Sequence, residues 1–245
     1  MVRRYPHPGR GFTQGLITGT GSARETAIWE STGLYGQSAL CRYRLGRPQS
    51  QQRAALPPQL FGEGICRVGG GAYIWQLTWQ NRVALRWDAR TLELVDQVPY
   101  NREGWGICAT TGGASVITSD GSGELVHRYP DTLDPLRVTH VRLAGQRVLG
   151  LNDLAWSAGR VWANVIGTSY VTGIDPDTGE VTDVVDARKA AERHFGDPEA
   201  VMNGIAALPG DGEFLLTGKT WRAIRHVRLV PGRVRLREMR EGLSV

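Results

Sequence analysis

The sequence predicts an all-β protein folded as a five-bladed β-propeller. Three observations predict it. A short motif, polar–Gly–Leu/Ile, occurs five times along the 245 residues. An apolar strand follows each copy, and a third strand of alternating character follows that one. The units return roughly every 45 to 50 residues, in the range of propeller blades.

The five copies of the motif are Gln14-Gly15-Leu16, Glu63-Gly64-Ile65, Trp105-Gly106-Ile107, Asn152-Asp153-Leu154 and Asn203-Gly204-Ile205, the fourth with Asp in place of Gly. The apolar second strands are AIWESTG, YIWQLTW, VITSDG, VWANVI and FLLTGK, and the third strands are ALCRYRL, VALRWDA, ELVHRYP, VTGIDP and AIRHVRL. Turn signals separate them: Gly69-Gly70-Gly71, Gly112-Gly113, Asp177-Thr178-Gly179 and Pro209-Gly210-Asp211-Gly212. Short strands at regular spacing with such turns read as all-β. A β-sandwich, the alternative, does not call for five similar units. One stretch, Asp186 to Phe195, reads as helical and polar enough to be a surface insertion between blades four and five. The whole chain, 1–245, is expected to be a single propeller domain.

Composition excludes several classes. A hydrophobic share of 41% with 22% charged residues is that of an ordinary globular protein. No apolar run approaches the roughly 18 residues a membrane span needs, so no membrane partner is expected. The N-terminal MVRRYPHPGRGF has no apolar stretch behind its arginines, so no signal peptide is visible. The compartment stays open between cytoplasm and secretion with a leader removed. A net charge of +5 and a pI near 9.4 raise the question of nucleic acid. The arginines are scattered, however, with the densest run from Arg222 to Arg240 and no aromatic–basic stripe, so no nucleic-acid partner is expected. Cys41, Cys66 and Cys108 cannot all pair within one chain, match no zinc spacing and are expected as buried thiols. The five histidines are isolated and lack ligand spacing, so no catalytic metal is expected. A structural calcium on the propeller axis is possible, because such channels present carbonyls and carboxamides. A monomer is expected, since propellers close on themselves.

In a propeller the innermost strand of each blade lines the central channel. Equivalent motif positions therefore form a ring: Gln14, Glu63, Trp105, Asn152 and Asn203. The last position of the second strands gives another: Gly33, Trp79, Gly121, Ile166 and Lys219. The two rings predict a pocket with one carboxylate, one ammonium, carboxamides and indoles, the usual make-up of a small-ligand site. Polar residues that merely hydrate the channel would account for Asn and Gln. They account less well for Glu63 beside two tryptophans, because a carboxylate near aromatic walls is costly without a task. Lys219 stands out too: the chain's other cations are arginines apart from Lys189, and a compact three-donor cation meets a specific need.

At these residues the sequence resembles the plant and bacterial type of glutaminyl cyclase. The matching segments are YPHPGRGFTQGL, WESTGLYGQSAL, LFGEGI, QLTW, EGWGI, LNDL, VWANV, DPDTGEV, MNGIA and LTGKTW, in the family's order from about residue 5 to 225. The resemblance implies a five-bladed propeller that closes N-terminal glutamine of peptides and proteins into pyroglutamate, releases ammonia and uses no catalytic metal. It implies that Glu63 is the acid/base and that Phe12, Gln14, Trp79, Trp105, Asn152 and Lys219 form the substrate pocket. One departure matters: Ile166 stands after VWANV where the family usually carries a tryptophan. Burial would raise the Glu63 pKa and Lys219 would lower it; the sequence does not decide which wins. Two other readings of a propeller remain: a calcium-dependent, lactonase-like hydrolase, which would want several carboxylates converging on a metal where the ring offers mainly Glu63, with Asp153, Glu103 and Asp120 not placed by the repeat, and a non-catalytic peptide-binding module.

Overall fold

The motif takes on its meaning in the strand register. In all five units the Leu or Ile that ends the motif pairs with the residue three positions before the second ring: Leu16 with Glu30, Ile65 with Gln76, Ile107 with Thr118, Leu154 with Ala163 and Ile205 with Leu216. The structure, a computed structural model, describes residues 2–9, 11–19, 26–192, 199–210 and 212–229. Within them lie five four-stranded antiparallel sheets arranged as the five blades. The inner strands are Thr13–Thr18, Gly62–Val68, Ile107–Ala109, Leu151–Ser157 and Met202–Ala207. The second strands are Ala27–Thr32, Tyr73–Thr78, Val116–Thr118, Arg160–Val165 and Glu213–Gly218.

The outer strands carry little hydrophobic signal, because they face solvent; Arg47–Ala55, RPQSQQRAA, is mostly exposed along its length. The outer strand of blade five is the N-terminal strand Arg3–Pro6, which pairs antiparallel with Ala223–Arg228. Sequence reading does not assign it: RRYP is short, charged and without a hydrophobic period. Backbone hydrogen bonding between the two ends of the described chain thus closes the ring.

Each blade interface has its own hydrophobic core. Trp29 and Leu40 of blade one meet Ile65 and Ile74 of blade two. Trp75 meets Ile107 and Val116 of blade three, and Ile117 and Leu125 meet Leu154 and Val161 of blade four. Trp162 and Val171 meet Ile205 and Phe214 of blade five, and Leu215 and Ile224 meet Leu16 and Ile28. Cys41, Cys66 and Cys108 are free, buried members of these cores, as expected of inert thiols. Among its described residues, the expected helical stretch Asp186–Phe195 makes no helix. Asp186 ends the outer strand of blade four, and one turn follows in which the Ala190 and Ala191 amides both bond the Ala187 carbonyl. Ala187 and Ala190 are drawn into the core between blades four and five. Residues 193–198 lie outside the described residues. No helix is long and apolar enough to cross a membrane among the described residues.

In four blades the first two motif residues sit at a β-bulge: the register shifts between Thr13 and Gly15, Gly62 and Ile65, Leu151 and Leu154, and Met202 and Ile205. A bulge re-aims a side chain at the rim of a sheet, here the motif's polar residue. The glycine is required by close approach of neighbouring inner strands. A Cβ on Gly64 would lie 2.4 Å from the Trp105 carbonyl oxygen, and one on Gly106 would lie 2.0 Å from that of Asn152. Blade four replaces the glycine with Asp153, which is wholly buried. Its Oδ2 accepts the Ile205 amide of blade five at 2.8 Å and the Leu16 amide of blade one at 3.1 Å. Asp153 is therefore an axial clasp joining three blades.

Candidate active site

The bulges begin the inner strands at the same end of the ring where the second strands finish, so both predicted rings converge there. Glu63 is 4% exposed and its Oε1 accepts the Gln14 amide at 2.8 Å. Gln14 in turn accepts the Asn203 amide on its own oxygen at 2.8 Å. Asn203 is wholly buried and also bonds the Thr13 carbonyl at 3.2 Å, so it stands behind Gln14 and fixes it. Lys219 follows the second strand of blade five, its backbone amide bonded to the Val201 carbonyl at 3.0 Å. Its Nζ lies 4.4 Å from the centroid of the Phe12 ring, a cation–π contact. Asn152 is 3% exposed, and its Oδ1 has no hydrogen-bond partner among the described residues.

The electrostatics follow from burial. Burial lifts the Glu63 carboxyl well above the usual carboxylate range; Lys219 and the Gln14 hydrogen bond pull against this, while the like charges of Asp153 and Glu103 add to it. Burial lowers the Lys219 ammonium, opposed by Glu63 and Glu199. Desolvation thus outweighs the attraction of the pair, and burial disfavours the charged form of both groups. Among the described residues Glu63 and Lys219 act on each other electrostatically without a direct ion pair.

Aromatic rings gather at the same end, beginning with Phe12 beside Lys219. Phe61 packs edge-on against Phe12, Tyr35 and Trp79, with centroids 6.2, 5.4 and 5.5 Å apart. Gly33 makes room for it: a Cβ there would lie 2.3 Å from the Phe61 ring. The Trp105 ring occupies the space above Gly121, where a Cβ would lie 2.6 Å from it. Ile166, partly buried, bonds through its amide to the Gly150 carbonyl, and Gly150 bonds to Gly121. It therefore lies two backbone hydrogen bonds from Gly121, over which the Trp105 ring sits.

Phe61 and Ser119 escaped the sequence reading as site residues, and Glu103 entered it only as a carboxylate of the hydrolase reading. Phe61 and Glu103 both lie two residues before their motif, at the position of Phe12, and that repeated offset was the signal that could have placed them. Ser119 holds blade three to blade four: its Oγ donates to the Asn152 carbonyl and accepts the Gly106 amide, both at 3.0 Å. No comparable signal marked it. Among the described residues no group of three or more His, Cys, Asp or Glu side chains is gathered to hold a metal ion.

A buried carboxyl and a neighbouring ammonium, with aromatic rings gathered at the same end of a five-bladed propeller, mark this end as the candidate active site. Residues 1–229 match the family model for glutamine cyclotransferase. The chain belongs to that family and is an enzyme of the glutaminyl-peptide cyclotransferase type. It is 29% identical over 235 residues to a glutaminyl-peptide cyclotransferase of Arabidopsis thaliana, covering 94% of this chain and 70% of that one. It superposes on a crystal structure of Myxococcus xanthus glutaminyl cyclase with a TM-score of 0.81 and 32% identity, covering 95% of this chain and 96% of that one. A β-propeller domain of Myceliophteria thermophila Cps50 (Swd1) matches with a TM-score of 0.50 and 12% identity over 89% of this chain and 83% of that one, a likeness of fold alone.

Proposed function

We propose that this enzyme converts N-terminal glutamine of peptides or proteins into pyroglutamate without a metal, with Glu63 as a proton shuttle. The observation that carries the reading is Glu63 itself: buried, lifted in pKa by that burial and held by Gln14 with Lys219 nearby.

The reaction is intramolecular. The α-amine nitrogen attacks the γ-carboxamide carbon, the ring C–N bond forms, and the bond to the amide nitrogen breaks to release ammonia. The amine has a pKa near 7.7 to 8, so a neutral fraction exists at neutral pH. Glu63 takes the proton the amine loses and returns it to the departing nitrogen, so one carboxyl serves as base and then acid. The oxyanion that develops on the carboxamide needs donors. Lys219 and Asn152 supply them; the Gln14 amide already donates to Glu63 and orients it. Trp79, Trp105 and Phe12, with Phe61 behind them, pack on the substrate's methylenes, select the folded-back rotamer and exclude the water that would hydrolyse glutamine to glutamate. Ile166 reduces the aromatic area on one side and bears on substrate range rather than on the proton transfers. The Lys219 ammonium near Glu63 supports a metal-free mechanism, because it supplies positive charge for the developing oxyanion.

Incubation of Gln-Xaa peptides with the protein, read by mass spectrometry, tests this. Loss of ammonia from the peptide, undiminished by a chelator, is expected. Turnover that a chelator abolishes would overturn the metal-free reading, and no ammonia loss across a broad peptide set would overturn the substrate assignment.

A further inference from the structure

We infer that Glu103 is a positioning residue for the cyclisation, holding the indoles of Trp79 and Trp105 as a fixed pair against the substrate. The inference rests on the proposed cyclase reading. A single oxygen, Glu103 Oε2, accepts the Trp79 indole N–H at 3.1 Å and the Trp105 indole N–H at 3.4 Å. Its other oxygen accepts the Gln80 amide at 3.1 Å. All three partners are donors, which suits an ionised, acceptor-only carboxylate.

The two indoles come from different blades: Trp79 follows the second strand of blade two, and Trp105 opens the motif of blade three. Nothing in either blade alone fixes their relative orientation. Each ring is held from one side by packing, Trp79 by Phe61 and Trp105 by the backbone at Gly121. Glu103 holds both by their polar edges, the end of an indole that needs a partner when partly buried. The carboxylate is itself anchored. The next residue, Gly104, bonds the Thr78 and Trp79 carbonyls at 3.1 Å, and a Cβ on it would meet the Leu77 Cβ at 2.5 Å. Blade three is thereby pinned to the end of the blade-two strand at the point from which Glu103 projects. The same carboxylate lies near enough to Glu63 for its charge to disfavour ionisation there, which supplies a second readout.

The test compares Glu103→Ala and Glu103→Gln with the wild type on a Gln-Xaa peptide, with near-ultraviolet circular dichroism of the free proteins in parallel. Glu103→Ala is expected to lower kcat/KM on the order of 10- to 100-fold, the scale of a misplaced substrate, and to weaken the tryptophan dichroism. Glu103→Gln retains an oxygen for both indoles, so it is expected to restore most of the dichroism and of KM. Both variants remove a like charge, so the acid limb of the kcat/KM profile is expected to move to lower pH. Glu103→Ala within about threefold of wild-type kcat/KM and with unchanged dichroism would overturn the inference. So would Glu103→Gln as impaired as Glu103→Ala. If the wild type itself turns over no glutaminyl peptide, the cyclase reading fails, and the dichroism still decides whether Glu103 orders the indoles.

Discussion

Asp153 offers a sharp test of how the ring is held together. It is wholly buried, and the backbone amides of Leu16 and Ile205 both donate to its Oδ2. Asp153→Ala leaves those amides buried without an acceptor, each at a cost of about 1–3 kcal/mol, together about 2–6 kcal/mol. The wild-type carboxyl is itself disfavoured by burial, which pushes its pKa well above the usual range. Relief of that burden brings the expected net loss to about 2–4 kcal/mol. Asp153→Asn keeps an acceptor of the same shape and cannot ionise. The sign of the pH dependence follows. A carboxyl whose folded pKa is raised contributes stability in full below its unfolded value, about 3.9, and loses it as pH rises through the folded value. Asp153→Asn should therefore gain on the wild type as pH rises above about 4. Urea unfolding followed by tryptophan fluorescence, from acid to neutral pH, measures both effects. An Asp153→Ala protein within about 0.5 kcal/mol of wild type, the range of an unremarkable surface change, would refute the clasp. A difference between wild type and Asp153→Asn that does not change with pH would refute the raised carboxyl.

Other expectations follow from the same geometry. His7 and Glu30 form a buried pair at 2.9 Å, with Thr13 and Tyr43 also donating to Glu30. Despite burial, each partner holds the other charged, so the His7 pKa is raised above 6.5 and the Glu30 pKa lowered below 4.5. The stabilisation is complete between those two values, lost above as His7 deprotonates and lost below as Glu30 protonates. The stability gap between wild type and His7→Ala, read from urea midpoints, should shrink as pH rises beyond that window; a gap still constant at pH values where His7 is neutral contradicts the pairing. Gly33→Ala drives a Cβ into Phe61, and the pocket wall must shift. A loss of roughly 1–3 kcal/mol in stability should accompany a raised KM, and steady-state kinetics with an unchanged KM would contradict the placement of Phe61. Ile166→Trp should lower KM by about 2- to 10-fold with little change in kcat, the worth of one aromatic contact; an unchanged KM across several peptides would mean that Ile166 does not face the substrate.

The inner architecture was legible because it repeats. Gln14, Glu63, Trp105, Asn152 and Asn203 could be aligned from sequence since each precedes a buried Leu or Ile at one register, and the structure keeps that register in every blade. What the repeat does not encode was not legible. Arg3–Pro6 lies on a solvent-facing edge, where no hydrophobic period marks a strand. The Ala-rich stretch after Asp186 has helical propensity, but Ala187 and Ala190 serve the core between two blades and only one turn forms. Within the site, Gln14 and Asn203 were read as pocket walls of equal standing, whereas the hydrogen bonds arrange them in series behind Glu63. Donor direction decides that order, and it depends on side-chain geometry across three blades. The competition between burial and Lys219 at Glu63 was open for the same reason, since it turns on how closely the neighbouring blades enclose the carboxyl.

The central claim is that Glu63 moves both protons. The most direct measurement is kcat/KM of Glu63→Gln against the wild type on one Gln-Xaa peptide, with ammonia release and pyroglutamyl product both quantified. Glutamine keeps the volume and the contact with Gln14 but cannot shuttle a proton. The account predicts a fall of about 10²- to 10⁴-fold, the usual contribution of a general acid–base group, with KM little changed. A Glu63→Gln enzyme within about tenfold of the wild type would contradict it.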